Sequence, residues 1–250
     1  MATKKSKITD TTARRLSRTS AKSGGIEEYL KRIFGLMFGA VALTGVAAFI
    51  MMASGAFVHL FRPDFSGFSG TYYVLLFGGL ALSIWAQVRV FHMKPSTAAW
   101  LLALYAILIG ITMTPLLWAS LHINPMSIMW AFGVAALMFA CMAMFGYKTI
   151  KDLSFLGVFL FMGMIGLILI GLLSFIWPTM LGGAFGTVVS FIGVLVFALF
   201  TAYDMQNLKR AYAYVGDGTQ QNQLAVLGAL HLYISFIAMF QYLLSLFNRY

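Results

Sequence analysis

Val196-Phe197-Ala198-Leu199-Phe200-Thr201-Ala202-Tyr203-Asp204-Met205-Gln206 closes an apolar run that begins near Ala184. At 1.5 Å rise per residue, a run of about 20 residues crosses a hydrocarbon core about 30 Å thick. The run ends on a carboxylate. Of the seven acidic residues, Asp204 alone falls inside a strongly apolar segment rather than in a tail, in a loop or at a segment's edge. A mid-helix carboxylate costs about 2.5–3.5 kcal/mol to insert, so one that is retained has a partner or a task.

Working outward, similar runs recur at Ile33–Ser54, Tyr72–Phe91, Ala98–Ala119, Met126–Gly146, Ser154–Trp177 and Leu224–Phe247, giving seven in all. The chain is 61% hydrophobic and 10% charged, whereas soluble domains carry about 25% charged residues. The connections are short, which leaves no room for a separate soluble domain. The sequence predicts an all-α integral membrane protein, divided into a basic tail with a short lead-in (1–32) and a seven-helix domain (33–250).

Charge fixes the orientation. The segment before the first run holds nine Lys/Arg, from Lys4 to Arg32. The second, fourth and sixth connections add Arg89 and Lys94, Lys148 and Lys151, and Lys209 and Arg210. The other side has only Arg62 and Arg249. Because Lys/Arg excess marks the cytoplasmic side, the N-terminus is expected inside and the C-terminus outside. Topology therefore accounts for the net charge of +10. Nucleic acid is not an expected partner, since no aromatics interleave with the basic residues, which border apolar runs. Residues 1–25 read as a disordered, solvated tail; their Arg and Ser content leaves an organelle transit peptide as the lesser alternative. Residues 26–32 read as an amphipathic lead into the first helix.

Smaller features have ordinary readings. Gly35 and Gly39 form a small-xxx-small pair of a kind frequent by chance among 24 glycines. Pro115 is expected to bend the third helix. Trp118, Trp177, Tyr72 and Tyr73 lie where interface anchors belong. Trp177-Pro178 with Gly182-Gly183 reads as a tight outer turn. Lone Cys141 precludes an intrachain disulfide and reads as a small buried filler.

No enzyme signature is present: no phosphate-binding Gly loop, no His-Glu-x-x-His, no Cys pair and no nucleophile elbow. An intramembrane protease needs a Ser/His pair or two intramembrane acids, and only one such acid exists. Enzymatic function is not expected, and no cofactor or bound metal is implied.

Few polar residues lie at membrane depth. Asp204 and Gln206 close the sixth run, Gln223 precedes the seventh, and His231 and Ser235 follow one helical turn apart on one face. If the sixth helix emerges near Leu208, Asp204 lies about 6 Å inside; if the seventh enters near Leu224, His231 lies about 10 Å inside. The two can face each other if their helices are neighbours. The plainer alternatives are an Asp204 that reaches the head groups or Lys209, and a His231 that bonds a backbone carbonyl as packing glue.

Three stretches together resemble the Bax inhibitor-1 (TMBIM) family of seven-span membrane proteins. Phe145-Gly146-Tyr147-Lys148-Thr149-Ile150-Lys151-Asp152-Leu153-Ser154 is similar to its basic loop before the fifth helix. Val196 through Gln206 resembles its Thr-x-Tyr-Asp-Thr-Gln signature. Leu227-Gly228-Ala229-Leu230-His231-Leu232-Tyr233 resembles the Gly-Ala-Leu-x-Leu-Tyr start of its last helix. The likeness covers the chain after the basic tail. It implies a bundle whose last helix is surrounded by the other six, a bacterial inner-membrane location, and a pH-sensitive leak for Ca²⁺ or another cation. In that scheme two aspartates, on the sixth and seventh helices, share a proton, because like charges in contact cannot both ionise cheaply.

Asp204 matches the first aspartate, but the second position is Ser235, and a nearby family Asn is Ala238. A proton-sharing dyad therefore cannot be carried over intact, and a calcium site loses an oxygen ligand. His231, one turn before Ser235, is the expected substitute partner, which would move gating toward the histidine range. Asp204, His231 and Ser235 are thus the candidate pH-sensing or ion-path residues. The alternative, from some bacterial relatives, is a non-conducting regulator of a membrane-anchored quality-control protease, with the tail as its contact.

Overall fold

The computed structural model describes residues 2–64, 67–177, 181–215 and 218–249, with side chains from residue 25 onward except 175 and 176. Seven long helices follow one another: α1 Ala2–Ala53, α2 Gly70–Arg89, α3 Pro95–Ile123, α4 Met126–Lys148, α5 Ser154–Ile176, α6 Gly183–Tyr214 and α7 Gly218–Phe247. All seven are long and apolar enough to cross a membrane. Secondary structure does not break at residue 32. Residues 2–32, read from the sequence as a tail and lead-in, are helical and continuous with the spanning part of α1.

Local chemistry places the ends. Gly55 adopts φ 69°, the left-handed conformation that stops α1. The Ser69 hydroxyl accepts from the Tyr72 amide and starts α2. Pro95, with no amide hydrogen to satisfy, begins α3. α3 then passes through buried Pro115 as one helix. The outer turn expected at Trp177–Gly183 lies partly outside the described residues, although Gly183 has φ 58°.

The last helix is the centre. In α7, 78% of the apolar span is buried, against 11–44% for the other six. Fully buried Tyr233 joins three helices: its hydroxyl lies 2.6 Å from Thr44 Oγ1 of α1, and its ring meets Tyr105 of α3 edge-on at 5.8 Å. Thr44 in turn donates toward the Ala40 and Ala106 carbonyls at 2.9 and 3.1 Å. Buried polar groups in a dry interior require such pairing.

Close helix approaches depend on particular glycines. A Cβ on Gly110 of α3 would stand 2.5 Å from the Thr44 carbonyl oxygen of α1. Gly35 and Gly39 have nothing within 4 Å of a Cβ, so the pair noticed in the sequence packs no helix. Cys141, expected as a buried filler, is exposed on α4. In a bilayer the outer face of a bundle is as apolar as its core, so hydrophobicity alone does not separate the two.

Two amides secure the cytoplasmic connections. Gln206 of α6 accepts from the Leu153 amide at 2.9 Å and donates to the Lys151 carbonyl at 2.8 Å. Gln223 of α7 donates to the Met93 carbonyl at 2.6 Å. Beside Gln206, the Asp152 carboxylate accepts from the Ser154 hydroxyl and amide and from Arg210 at 2.7, 2.9 and 2.8 Å. These bonds, those from Ser154 foremost, hold its carboxyl well below the usual carboxylate range. A depressed pKa stabilises the fold above the unfolded-state value, and that contribution fades as pH falls through the folded one. Asp152→Asn is therefore expected to lower Tm modestly at neutral pH, with the deficit shrinking on acidification below the carboxylate range. Melting curves from pH 2 to 7 check this.

At the outer end, Asn248 accepts from the Ser127 hydroxyl at 2.8 Å and donates to Ser120 at 2.6 Å, tying the end of α7 to α4 and α3. Arg249 donates to the Gly183 and Leu181 carbonyls at 3.0 and 2.7 Å.

Candidate functional site

α6 and α7 are adjacent in sequence and pack along their length, which brings the sixth-helix acid to the seventh-helix histidine. His231 Nδ1 lies 4.0 Å from Asp204 Oδ1. That exceeds a hydrogen bond but is well within the range of strong charge interaction away from water. The Asp204 side chain is 13% exposed and that of His231 33%. Lys209 donates to the Tyr147 carbonyl rather than to Asp204, and the hydrogen bond of His231 is to a side chain rather than to a backbone carbonyl.

That side chain is Gln87 of α2, whose Oε1 is 3.1 Å from His231 Nε2. With Nε2–H donated to Gln87, Nδ1 is the nitrogen facing the carboxylate. A neutral imidazole then presents a lone pair there and an imidazolium presents a proton. The pair can thus carry a proton on either group without sharing it in a direct hydrogen bond. Sequence reasoning passed over Gln87; the signal available was an amide inside the second apolar run, where polar side chains are rare.

Asp204, His231, Ser235 and Gln87 line one half-open cavity of about 260 Å³, whose remaining walls are largely apolar residues such as Phe161 and Met164 of α5. Ser235 is buried and within interacting range of the Asp204 carboxyl. The three residues singled out from the sequence therefore share one space. The wall is largely apolar, and a cavity of this size has room for several waters where Asp204, His231 and Gln87 supply polar partners. Tyr203 is the other titratable residue on its wall. Among the described residues, no group of three or more His, Cys, Asp or Glu is placed to hold a metal ion.

Known proteins place this architecture. The inner membrane protein YbhL of Escherichia coli K12 is 32% identical over 227 residues, covering 90% of this chain and 93% of YbhL. The uncharacterized protein RP147 of Rickettsia prowazekii is 30% identical, covering 88% and 89% of the two chains. An uncharacterized protein of Caulobacter vibrioides is 36% identical over 184 residues, covering 73% of this chain and 71% of its own. With seven apolar helices and this likeness to YbhL, the chain is a multi-pass protein of the inner membrane. A family model described as "Inhibitor of apoptosis-promoting Bax1" matches residues 26–250, and the chain belongs to that Bax inhibitor-1 family.

Proposed function

We propose that this protein is a non-enzymatic, pH-sensitive cation leak in which Asp204 and His231 form the sensor, with Ca²⁺ as the cation that the family resemblance suggests. The observation that carries this reading is the Asp204 carboxylate facing His231 at 4.0 Å across a cavity of about 260 Å³. One carboxylate is too few oxygen ligands to retain Ca²⁺ as a resident ion, which suits a transit point better than a binding site. The groups facing this space are Asp204 and Tyr203 from α6, His231 and Ser235 from α7, and Gln87 from α2; α5 contributes apolar side chains. Acid delivers a second proton to the pair and leaves the cavity positive, which opposes a cation. Base leaves it negative.

Cation flux into proteoliposomes is therefore expected to fall as pH drops through the imidazole range, and His231→Ala is expected to remove that step. Identical flux profiles for wild type and His231→Ala between pH 5 and 8 would discard the sensor. The second reading, a regulator of a membrane-anchored protease, is supported by the missing second carboxylate at Ser235. Truncation of residues 1–25 separates the two: loss of the cellular phenotype with intact flux favours the regulator.

A further inference from the structure

We propose that the apolar groove between α1 and α4 binds one acyl chain of an anionic phospholipid from the cytoplasmic leaflet, with Lys209 at its mouth holding the phosphate. The site is independent of ion conduction and lies apart from the Asp204 cavity. The groove encloses about 470 Å³, and its walls are apolar, with Phe34 and Phe38 on α1 and Phe132 and Ala140 on α4. Its floor includes Met205 of α6 and Phe236 of α7. Phe38, Phe132 and Met144 are 58, 47 and 57% exposed, so the groove opens on the bundle's outer face. In a bilayer that face meets hydrocarbon.

Length selects the occupant. At 1.5 Å per residue the α1 wall from Leu30 to Val41 rises about 16 Å and the α4 wall from Phe132 to Tyr147 about 22 Å, between about half and three quarters of a core about 30 Å thick. That is the reach of one acyl chain entering from the cytoplasmic side. The cytoplasmic end is set by Leu30 and Tyr147. There Lys209 Nζ stands 4.7 Å over the Tyr147 ring and donates to the Tyr147 carbonyl at 2.8 Å. An ammonium has three donors, so two remain for a phosphodiester. Beside this mouth Lys209, with Lys148 next to Tyr147 in the chain, outnumbers Glu27, one turn before Leu30 on α1, which favours an anionic head group over a zwitterionic one.

Native mass spectrometry of the full chain in detergent, titrated separately with phosphatidylglycerol, phosphatidylethanolamine and phosphatidylcholine, tests this. Wild type is expected to retain one phosphatidylglycerol per chain and to prefer it over phosphatidylcholine by about fivefold or more. Ala140→Phe fills the groove from an exposed position and is expected to weaken retention of all three lipids, by about fourfold for each methylene displaced. Leu137→Phe, on a 66% exposed position outside the groove, is the folding and surface control and should bind as wild type does. Lys209→Gln should keep lipid binding but lose most of the preference for phosphatidylglycerol. Equal retention of the three lipids by wild type would overturn the proposal. So would Ala140→Phe behaving like Leu137→Phe, or a lipid-free dimer.

Discussion

Asp204→Asn is expected to cut cation flux by about tenfold or more and to flatten what remains across pH 5–8. A unit charge at about 4 Å is worth about 4 kcal/mol at an effective dielectric of 20, and a third of that is already tenfold. Asparagine keeps the volume and one acceptor of the side chain, so the loss reads the charge rather than the packing. Ser235→Asp probes the same cavity from α7. It places a second carboxylate beside Asp204 in a space of about 260 Å³, where two like charges resist joint ionisation and share a proton. The flux midpoint is then expected to move up by about one pH unit or more. If Asp204→Asn conducts like wild type, the acid is structural and the cavity is not the path.

Gly146→Ala is expected to be the most damaging single-methyl change at a helix–helix crossing. A Cβ at Gly146 would sit 2.1 Å from the Ala202 carbonyl oxygen and 2.8 Å from the Ala202 Cα. Both are backbone atoms, so no rotamer change relieves the clash and α4 must move off α6. Overpacking of this kind costs about 1–3 kcal/mol, occasionally more. The displacement also reaches the neighbourhood of Asp204, two residues further along α6. Gly39→Ala is the comparison, because its Cβ meets nothing within 4 Å; it should leave Tm unchanged. Equal Tm for the two variants in detergent would show that the α4–α6 crossing has slack that the geometry denies.

That contrast shows where a sequence is legible and where it is not. The seven spans and the central last helix follow from run length and from the resemblance, because bilayer thickness and backbone satisfaction leave few alternatives. The Asp204–His231 approach followed from comparing depths on two helices expected to be neighbours. Gln87 was not found, since nothing in Ala86-Gln87-Val88 says which way an amide points around α2. The glycines followed the same rule. Gly35 and Gly39 matched a spacing motif yet face outward, whereas Gly146, which matched none, and Gly110, within Ala106-xxx-Gly110-xxx-Thr114, carry the close crossings. Cys141 was misjudged for the related reason that an apolar helix carries no mark of its lipid side. Rotation about a helix axis is set by packing, and in this chain hydropathy is too uniform to encode it.

The placement of α7 also sets an order of events during synthesis. The helix at the centre leaves the ribosome after the other six, and chains emerge at only about 5–20 residues per second. For that interval six helices stand in the membrane around a vacancy, with Thr44 and Tyr105 still awaiting the Tyr233 they will meet. Completion comes with Asn248 and Arg249, just beyond α7, which fasten the new helix to its neighbours. A nascent chain stopped before Asn248 would hold all seven helices and yet lack these fastenings.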